Sequence, residues 1–580
     1  MPIVPIDRTQ SGVVRFNLLI EGNKIPASVE IYSIDIWQEL NRIPRAKIAI
    51  LDGNVADQTF NVSEEEWFVP GKKIEIQAGD GSVVNTIFSG LVTGQSIKIR
   101  PKGRPILMVD CADAAIKLTT TPRSRYFYDI SESEMFETII SSYGLSTEAE
   151  PTQFVHKEIL QFQSTDWDFI LSRADVNGHF CLANGGNIII KSPDFSQQPA
   201  ATVAYGSNLL EFDAEIDGTS QFGSVKGSSW DYSKTENNDV DAASSSPVSP
   251  GNFSSGDLSA SFENSEWVLR TGAKIPDEVL QKWANAKLMK HELAKVRGRA
   301  KIQGISDVKP GAIITLEGVG DRFNGNAFVS GLKHTIYRGD WTIDLQFGVS
   351  PKWFSEEFEI SENAAAGMLP SVSGLQIGLV TQIENDPDGD DRILVRLPMI
   401  DTQEQGVWAR MATSGAGENR GVFIRPEIDD EVVVGFISGD PNQPIIIGSL
   451  NSSAKPTPIT ASDDNHEKGW ITRGEIKFLI NDDDPSILIE MPSGKKISVN
   501  DSEGEILLSD ENGNNFLMNS DGISLESPSE ISIKATGDLN LEGTNVNIKA
   551  MAAFKAEGSG SAEISSTGST SVQGSIVQIN

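Results

Sequence analysis

Apolar residues two positions apart recur along the C-terminal stretch: Ile523/Leu525, Ile531/Ile533, Leu539/Leu541, Val546/Ile548, Phe554/Ala556, Ala562/Ile564, Thr570/Val572 and Val577/Ile579. Successive pairs lie seven or eight residues apart. Each i, i+2 pair places two side chains on one face of a short strand. Pro528, Gly537, Gly543, Gly558, Gly568 and Gly574 between them are turn formers. A fixed period of this kind predicts a thin β-solenoid. Two inward side chains per repeat do not enclose a core alone, whereas three chains wound about one axis triple that number. An intertwined trimeric β-needle, a single-chain parallel β-helix and an antiparallel meander of hairpins all satisfy the spacing.

The first hundred or so residues alternate as strands at Val14–Ile20, Val29–Ile36, Arg45–Leu51, Lys73–Gln77, Ile87–Ile99 and Ile106–Val109, which predicts an antiparallel barrel or sandwich over about 1–115. A helical insert at about 120–180 follows. Ser131 and Glu134 have capping-box spacing ahead of Met135, Phe136, Ile139 and Ile140, and a second helix runs through Trp167, Ile170, Leu171 and Ala174. A second β-domain is expected at about 195–350. Its 228–262 stretch is rich in Ser, Asp, Asn, Pro and Gly and reads as a surface loop. Within it too, Pro276 at a first-turn position opens a helix with Lys287, Lys290, Lys295 and Arg297 towards its end and Gly298 as its stop, the basic face solvated or paired with the protein's own acidic surface.

Three short echoes suggest that the two β-domains are duplicates. Arg299-Ala300-Lys301-Ile302 repeats Arg45-Ala46-Lys47-Ile48, Val308-Lys309-Pro310-Gly311 repeats Phe68-Val69-Pro70-Gly71, and Ser330-Gly331-Leu332 repeats Ser89-Gly90-Leu91. A trimer of such a chain would present six similar domains in a ring, suited to a six-fold partner. After 1–370, five strands within 371–452 suit a small OB-type barrel. A polar connector at 453–480 then leads into the needle at 481–580.

With 81 acidic against 48 basic side chains the formal net charge is −33, which argues against nucleic acid or an anionic membrane surface as an electrostatic partner. Any action on a membrane would be mechanical. Cys111 and Cys181 are far apart in apolar surroundings and predict buried thiols rather than a disulfide. The N-terminal residues lack a basic segment followed by an apolar one, so synthesis in the cytosol without a cleaved signal peptide is expected.

No catalytic constellation emerges. His291-Glu292 begins a zincin-like motif, but Lys295 stands where a second histidine is needed, and His291 reads as a surface residue. Asp386-Pro387-Asp388-Gly389-Asp390-Asp391 lacks EF-hand spacing and reads as a turn, as does Asp482-Asp483-Asp484-Pro485. The sequence contains neither a Gly-x-Ser-x-Gly elbow nor a P-loop nor Cys-x-x-Cys. No enzyme activity, cofactor or metal is expected.

Three stretches carry a specific resemblance: Gly406-Val407-Trp408-Ala409-Arg410; Gly421 to Phe436, containing Pro426, Glu427 and Glu431; and Gly439-Asp440-Pro441-Asn442-Gln443-Pro444 continuing to Leu450. They resemble the OB domain of VgrG-type spike proteins of contractile injection systems, which are related to phage-baseplate hubs and spikes. Gln163 to Leu171, Val176 to Phe180, Lys468 to Ile471 and Asn512 to Met518 are similar to other parts of that family. The resemblance implies a mainly β homotrimer with hub-like β-barrel domains, an OB-fold neck and a trimeric β-helical needle. It also implies docking on a hexameric inner-tube protein within a baseplate, a PAAR-type tip protein and possible effector cargo. The apolar pairs, from Ile523 to Ile579, are then the needle core. Val577, Ile579 and Asn580, at the end of the sequence, are where the tip protein is expected to bind.

Overall fold

The computed structural model describes residues 14–79, 83–360 and 363–579; Asn580 lies outside them. The chain divides into two units, residues 1–371 and 372–580.

The first unit is built on twelve strands. The first six are β1 (Arg15–Ile20), β2 (Glu30–Glu39), β3 (Arg45–Leu51), β4 (Lys73–Gly79), β5 (Asn85–Lys98) and β6 (Ile106–Ala112). The second six are β7 (Ala201–Ala204), β8 (Leu209–Ile216), β9 (Val296–Gln303), β10 (Ile313–Glu317), β11 (Gly325–Tyr337) and β12 (Asp340–Phe347). The first set pairs in the order β2-β3-β6-β5-β4-β1, and the second in the order β8-β9-β12-β11-β10-β7. The paths are the same strand for strand; they differ in that β1 runs antiparallel to β4 whereas β7 runs parallel to β10. Antiparallel pairing of β11 with β2 joins the sets into one sheet, so hydrogen bonding does not separate them into two barrels.

The register is equivalent as well. Gly71 N–H donates to Val92 O and Gly311 N–H to Val329 O, at 2.8 and 2.7 Å, so the two Pro-Gly turns correspond. β5 bulges between Val92 and Gly94 and β11 between Val329 and Gly331; β2 bulges between Ile31 and Ser33 and β8 between Leu209 and Glu211. In this alignment the other two sequence echoes are out of step. Arg299 corresponds to Lys47 rather than Arg45, and Leu332 to Gln95 rather than Leu91. Alternating strands of similar composition match readily when slid by an even number of residues, because the inward and outward faces are preserved.

Helices α1 (Glu132–Ser141) and α2 (Asp166–Val176) form where expected. Ser131 caps α1 with the reciprocal bonds of a capping box to Glu134, and Thr165 caps α2. Helix α3 (Asp277–Ala294) has Pro276 at its N-cap, one position before the first turn. It stops at Ala294, before Gly298, which is inside β9. There the Phe347 ring covers the glycine, whose hypothetical Cβ would lie 2.7 Å from that ring and 2.3 Å from Asp213 O.

The 228–262 stretch is not an open loop. Ser224–Asp231 pairs with Glu236–Asp241 and with Glu266–Thr271, and a short helix covers Ser255–Ser261. Ser228 and Ser229 are buried in this sheet, and Lys274 pairs with Asp231 at 2.7 Å. Strand polarity here serves hydrogen bonding, which composition alone does not reveal.

The second unit begins with a closed barrel of β13 (Gln376–Gln382), β14 (Ile393–Arg396), β15 (Val407–Met411), β16 (Glu431–Phe436) and β17 (Pro444–Ser449) around Val380, Ile393, Val395, Ala409, Val432, Val434 and Ile446. An antiparallel meander follows: β18 (Glu467–Ile471), β19 (Lys477–Asn481), β20 (Ser486–Glu490), β21 (Lys496–Asn500), β22 (Glu505–Ser509), β23 (Asn515–Asn519) and β24 (Gly522–Glu526). The meander therefore starts inside the stretch expected to be a connector, and within the single chain it is the hairpin alternative, not a parallel helix. Residues 527–579 belong to no strand or helix.

Candidate functional site: an uncovered apolar face and the OB barrel

Cross-strand register assembles two apolar rows on one face of the meander. Phe478, Ile489, Ile497, Leu508, Phe516 and Leu525 oppose one another in sequence, and beside them run Ile480, Ile487, Val499, Ile506, Met518 and Ile523. The i, i+2 pairing thus begins well before Ile523. None of the side chains in β18–β24 is buried. A sheet with a continuous apolar face ordinarily covers it with a second layer, and a patch of this kind marks an interaction surface.

The expected needle residues beyond β24 are likewise uncovered. Ile531, Ile533, Leu539, Leu541, Val546, Ile548, Ile564, Val572, Val577 and Ile579 are all exposed. The structure therefore leaves in solvent every side chain that the periodicity assigns to a core.

In the barrel, the recognisable motif residues serve the fold. Ala409 points inward between half-buried Trp408 and exposed Arg410. Buried Pro426 enters a turn closed in both directions, Asp430 N–H donating to Glu427 O at 3.1 Å and Glu427 N–H to Asp430 Oδ2 at 2.9 Å. That turn feeds Glu431 at the start of β16, and Glu427 accepts from Arg473 at 2.8 Å. Between β16 and β17 the chain takes a loop longer than a tight hairpin. Gly439 adopts φ +73°, and Asp440, ahead of Pro441, accepts from the Asn442 and Gln443 N–H groups at 2.8 and 2.9 Å. Asp386, in the acidic run, accepts from the Asp390 and Arg392 backbone and from the Arg392 side chain, which hold its carboxyl below the usual range. It organises a turn.

Helix α3 departs from expectation. Its basic side chains are not solvated: Lys287, Lys290, His291 and Lys295 are buried. Lys290 pairs with Asp175; Lys287 donates to Pro351 O at 3.0 Å and lies over the Trp353 and Trp267 rings; Lys295 donates to Phe253 O at 2.8 Å. His291 is a core residue rather than a surface one. Its Nδ1 lies 2.6 Å from Ser220 O, its ring packs on Phe222 and Trp267, and burial, then the Lys287 charge, holds its pKa down at about 4. An acidic protein buries these cations by supplying carbonyls, aromatic faces and Asp175 as partners.

Among the described residues no three His, Cys, Asp or Glu side chains are grouped to hold a metal ion, and no helix is long and apolar enough to cross a membrane. Cys111 and Cys181 are buried free thiols, pushed up by burial, to about 12 for Cys111.

Residues 10–338, more than half of the chain, match the family described as the Alg8 N-terminal domain. Residues 376–450, which span the barrel, match the type VI secretion system/phage-baseplate injector OB domain. Over 113 residues the chain is 29% identical to the type VI secretion system spike protein VgrG3 of Vibrio cholerae serotype O1, a stretch covering 18% of this chain and 11% of that protein. It is also 29% identical over 113 residues to a protein named actin cross-linking toxin VgrG1 from another strain of that serotype, covering 18% of this chain and 10% of that protein. The chain thus spans about a tenth of the length of either relative. Among solved structures, an E. coli type VI secretion component described as similar to the T4 tail proteins gp27 and gp5 aligns over 75% of this chain and 99% of its own, at 12% identity and a TM-score of 0.38. The chain belongs to the Alg8 N-terminal-domain family and, with its baseplate injector OB domain, is a spike protein of the VgrG type.

Proposed function

We propose that this protein is the central spike of a contractile injection apparatus and acts as a homotrimer by mechanics and docking, without catalysis. The observation that supports this most directly is the apolar face of β19–β24, continued by the exposed pairs from Ile531 to Ile579. In one chain these side chains and the backbone of 527–579 lack partners. Three copies wound together would bury the rows and satisfy the backbone between chains. In this reading the twelve-stranded sheet docks on a hexameric inner-tube protein within the baseplate. The needle leads puncture of the target envelope and carries a PAAR-type tip protein, with any effector cargo, at Val577 and Ile579. The protein is delivered outside the producing cell as part of the apparatus. Native mass measurement of the full chain tests the assembly: a trimer at micromolar concentration is expected, and a stable monomer overturns it. Docking is tested by co-purification with the inner-tube protein, where no retention counts against the hub role.

A further inference from the structure

The repeated strand order leaves two open edges in the chain, and each is the counterpart of a strand that is paired elsewhere in the same chain. β2 pairs with the second half of β11, from Gly331↔Glu39 to Tyr337↔Ser33. The counterpart of β2 is β8, whose outer edge is free, since β8 pairs only with β9. The counterpart of the second half of β11 is Gly94–Lys98 of β5, which pairs only with β6. One chain therefore contains one completed joint and the two unmatched halves of a second.

We infer that β8 of one protomer pairs antiparallel with the β5 end of the next, reproducing the β11–β2 joint between copies. Transferring the register predicts Ser96 opposite Glu215, Ile97 opposite Ala214, Lys98 opposite Asp213, Ile99 opposite Phe212 and Arg100 opposite Glu211. Three features support this register. In the internal joint His334 and Ile336 are 2% and 3% exposed, whereas their counterparts Ile97 and Ile99 are 44% and 64% exposed. Asp35 takes a cation in the internal joint, with Lys333 at 2.9 Å and Thr335 directly opposite. Its counterpart Asp213 would receive Lys98 at the Thr335 position, so the charge pair is kept although the lysine has moved by two residues. The charges on the two edges are complementary throughout: β8 carries Glu211, Asp213 and Glu215, and the β5 end leads into Lys98, Arg100 and Lys102. Like charges would instead oppose such pairing.

The inference rests on the trimeric reading, and cysteine pairs separate the two. Lys98→Cys with Asp213→Cys, and Ile97→Cys with Ala214→Cys, place thiols at adjacent predicted pairs. One of the two is the closer, non-hydrogen-bonded type of an antiparallel ladder. In the oxidised full-length protein at least one variant should run as covalently linked dimers and trimers on a non-reducing gel, while each single variant stays at protomer mass. Ser96→Cys with Glu211→Cys, four residues out of register, should not cross-link. A trimeric protein that cross-links at neither predicted pair, or cross-links only at the shifted one, overturns the interface and leaves the spike reading standing. A wild type that is monomeric by native mass overturns both.

Discussion

Lys290 on α3 grips both carboxylate oxygens of Asp175 on α2, at 2.7 and 2.9 Å, with both side chains almost wholly buried. Asp175 also accepts the Phe354 N–H at 2.8 Å. Two helices distant in sequence and the segment after β12 are thus tied through one carboxylate. Lys290→Met would leave that carboxylate buried without its counter-charge, and removing one partner of such a pair costs about 3–5 kcal/mol. Chemical denaturation should show a loss of that size in the variant. Adding Asp175→Asn, which removes the stranded charge and keeps an acceptor for Phe354, should recover part of it.

Two buried imidazoles give the fold a pH dependence. Burial holds His334 down at about 4, and burial with the Lys287 charge does the same for His291. Trp341 Nε1–H donates to His334 Nδ1 at 3.2 Å, which fixes the neutral tautomer. Both folded values lie below the ordinary value near 6.5, so the unfolded chain takes up protons first as pH falls. Their contribution is fully present above pH 6.5 and is lost as pH drops from 6.5 towards 4. Each histidine should account for on the order of 2 kcal/mol between pH 7 and pH 5. Urea unfolding at the two pH values measures the sum. His334→Gln, which keeps an acceptor for Trp341, should remove about half of the difference.

Gly298 makes a sharper test of packing. Its neighbour Phe347 occupies the space a side chain would need, and Asp213 O closes the other side. Gly298→Ala should therefore destabilise the hub by about 1–3 kcal/mol, the usual cost of overpacking, although alanine has the better intrinsic propensity for ordered structure. Thermal unfolding of the variant with unchanged far-ultraviolet dichroism would show that the loss is local packing and not a changed fold.

These cases mark where the sequence was readable. Ser131 and Glu134 announced α1 because capping is a local interaction between residues three apart. The barrel was legible because its alternating strands and the Pro426–Glu431 turn are contiguous in sequence. Gly298 misled because a glycine after a helix usually ends it, and only the fold brings Phe347 over it. His291 and Lys290 misled for a related reason: their partners, Ser220 and Asp175, come from other elements and have no fixed spacing. Ser228 and Ser229 resembled loop residues because their burial depends on a sheet formed with the distant 266–271 strand. The open edges of β5 and β8 were invisible until strand order was known, since an unpaired edge has no sequence mark of its own.

The apolar rows carry the last prediction. Asn540 lies between Leu539 and Leu541, so in a strand its side chain points opposite to theirs. If Leu541 faces the axis of a trimer, Leu541→Asp places three carboxylates at one level of a dry interior, where unpaired charges cannot be solvated. The wild-type chain and Asn540→Asp should both give trimers in native mass measurement, whereas Leu541→Asp should give monomers or trimers whose C-terminal stretch is cut by protease at sites protected in the wild type. Ile533→Asp should behave like Leu541→Asp. The contrast between positions 540 and 541 makes the test specific: a general sensitivity to charge would disrupt both variants, and a needle with another register would reverse them.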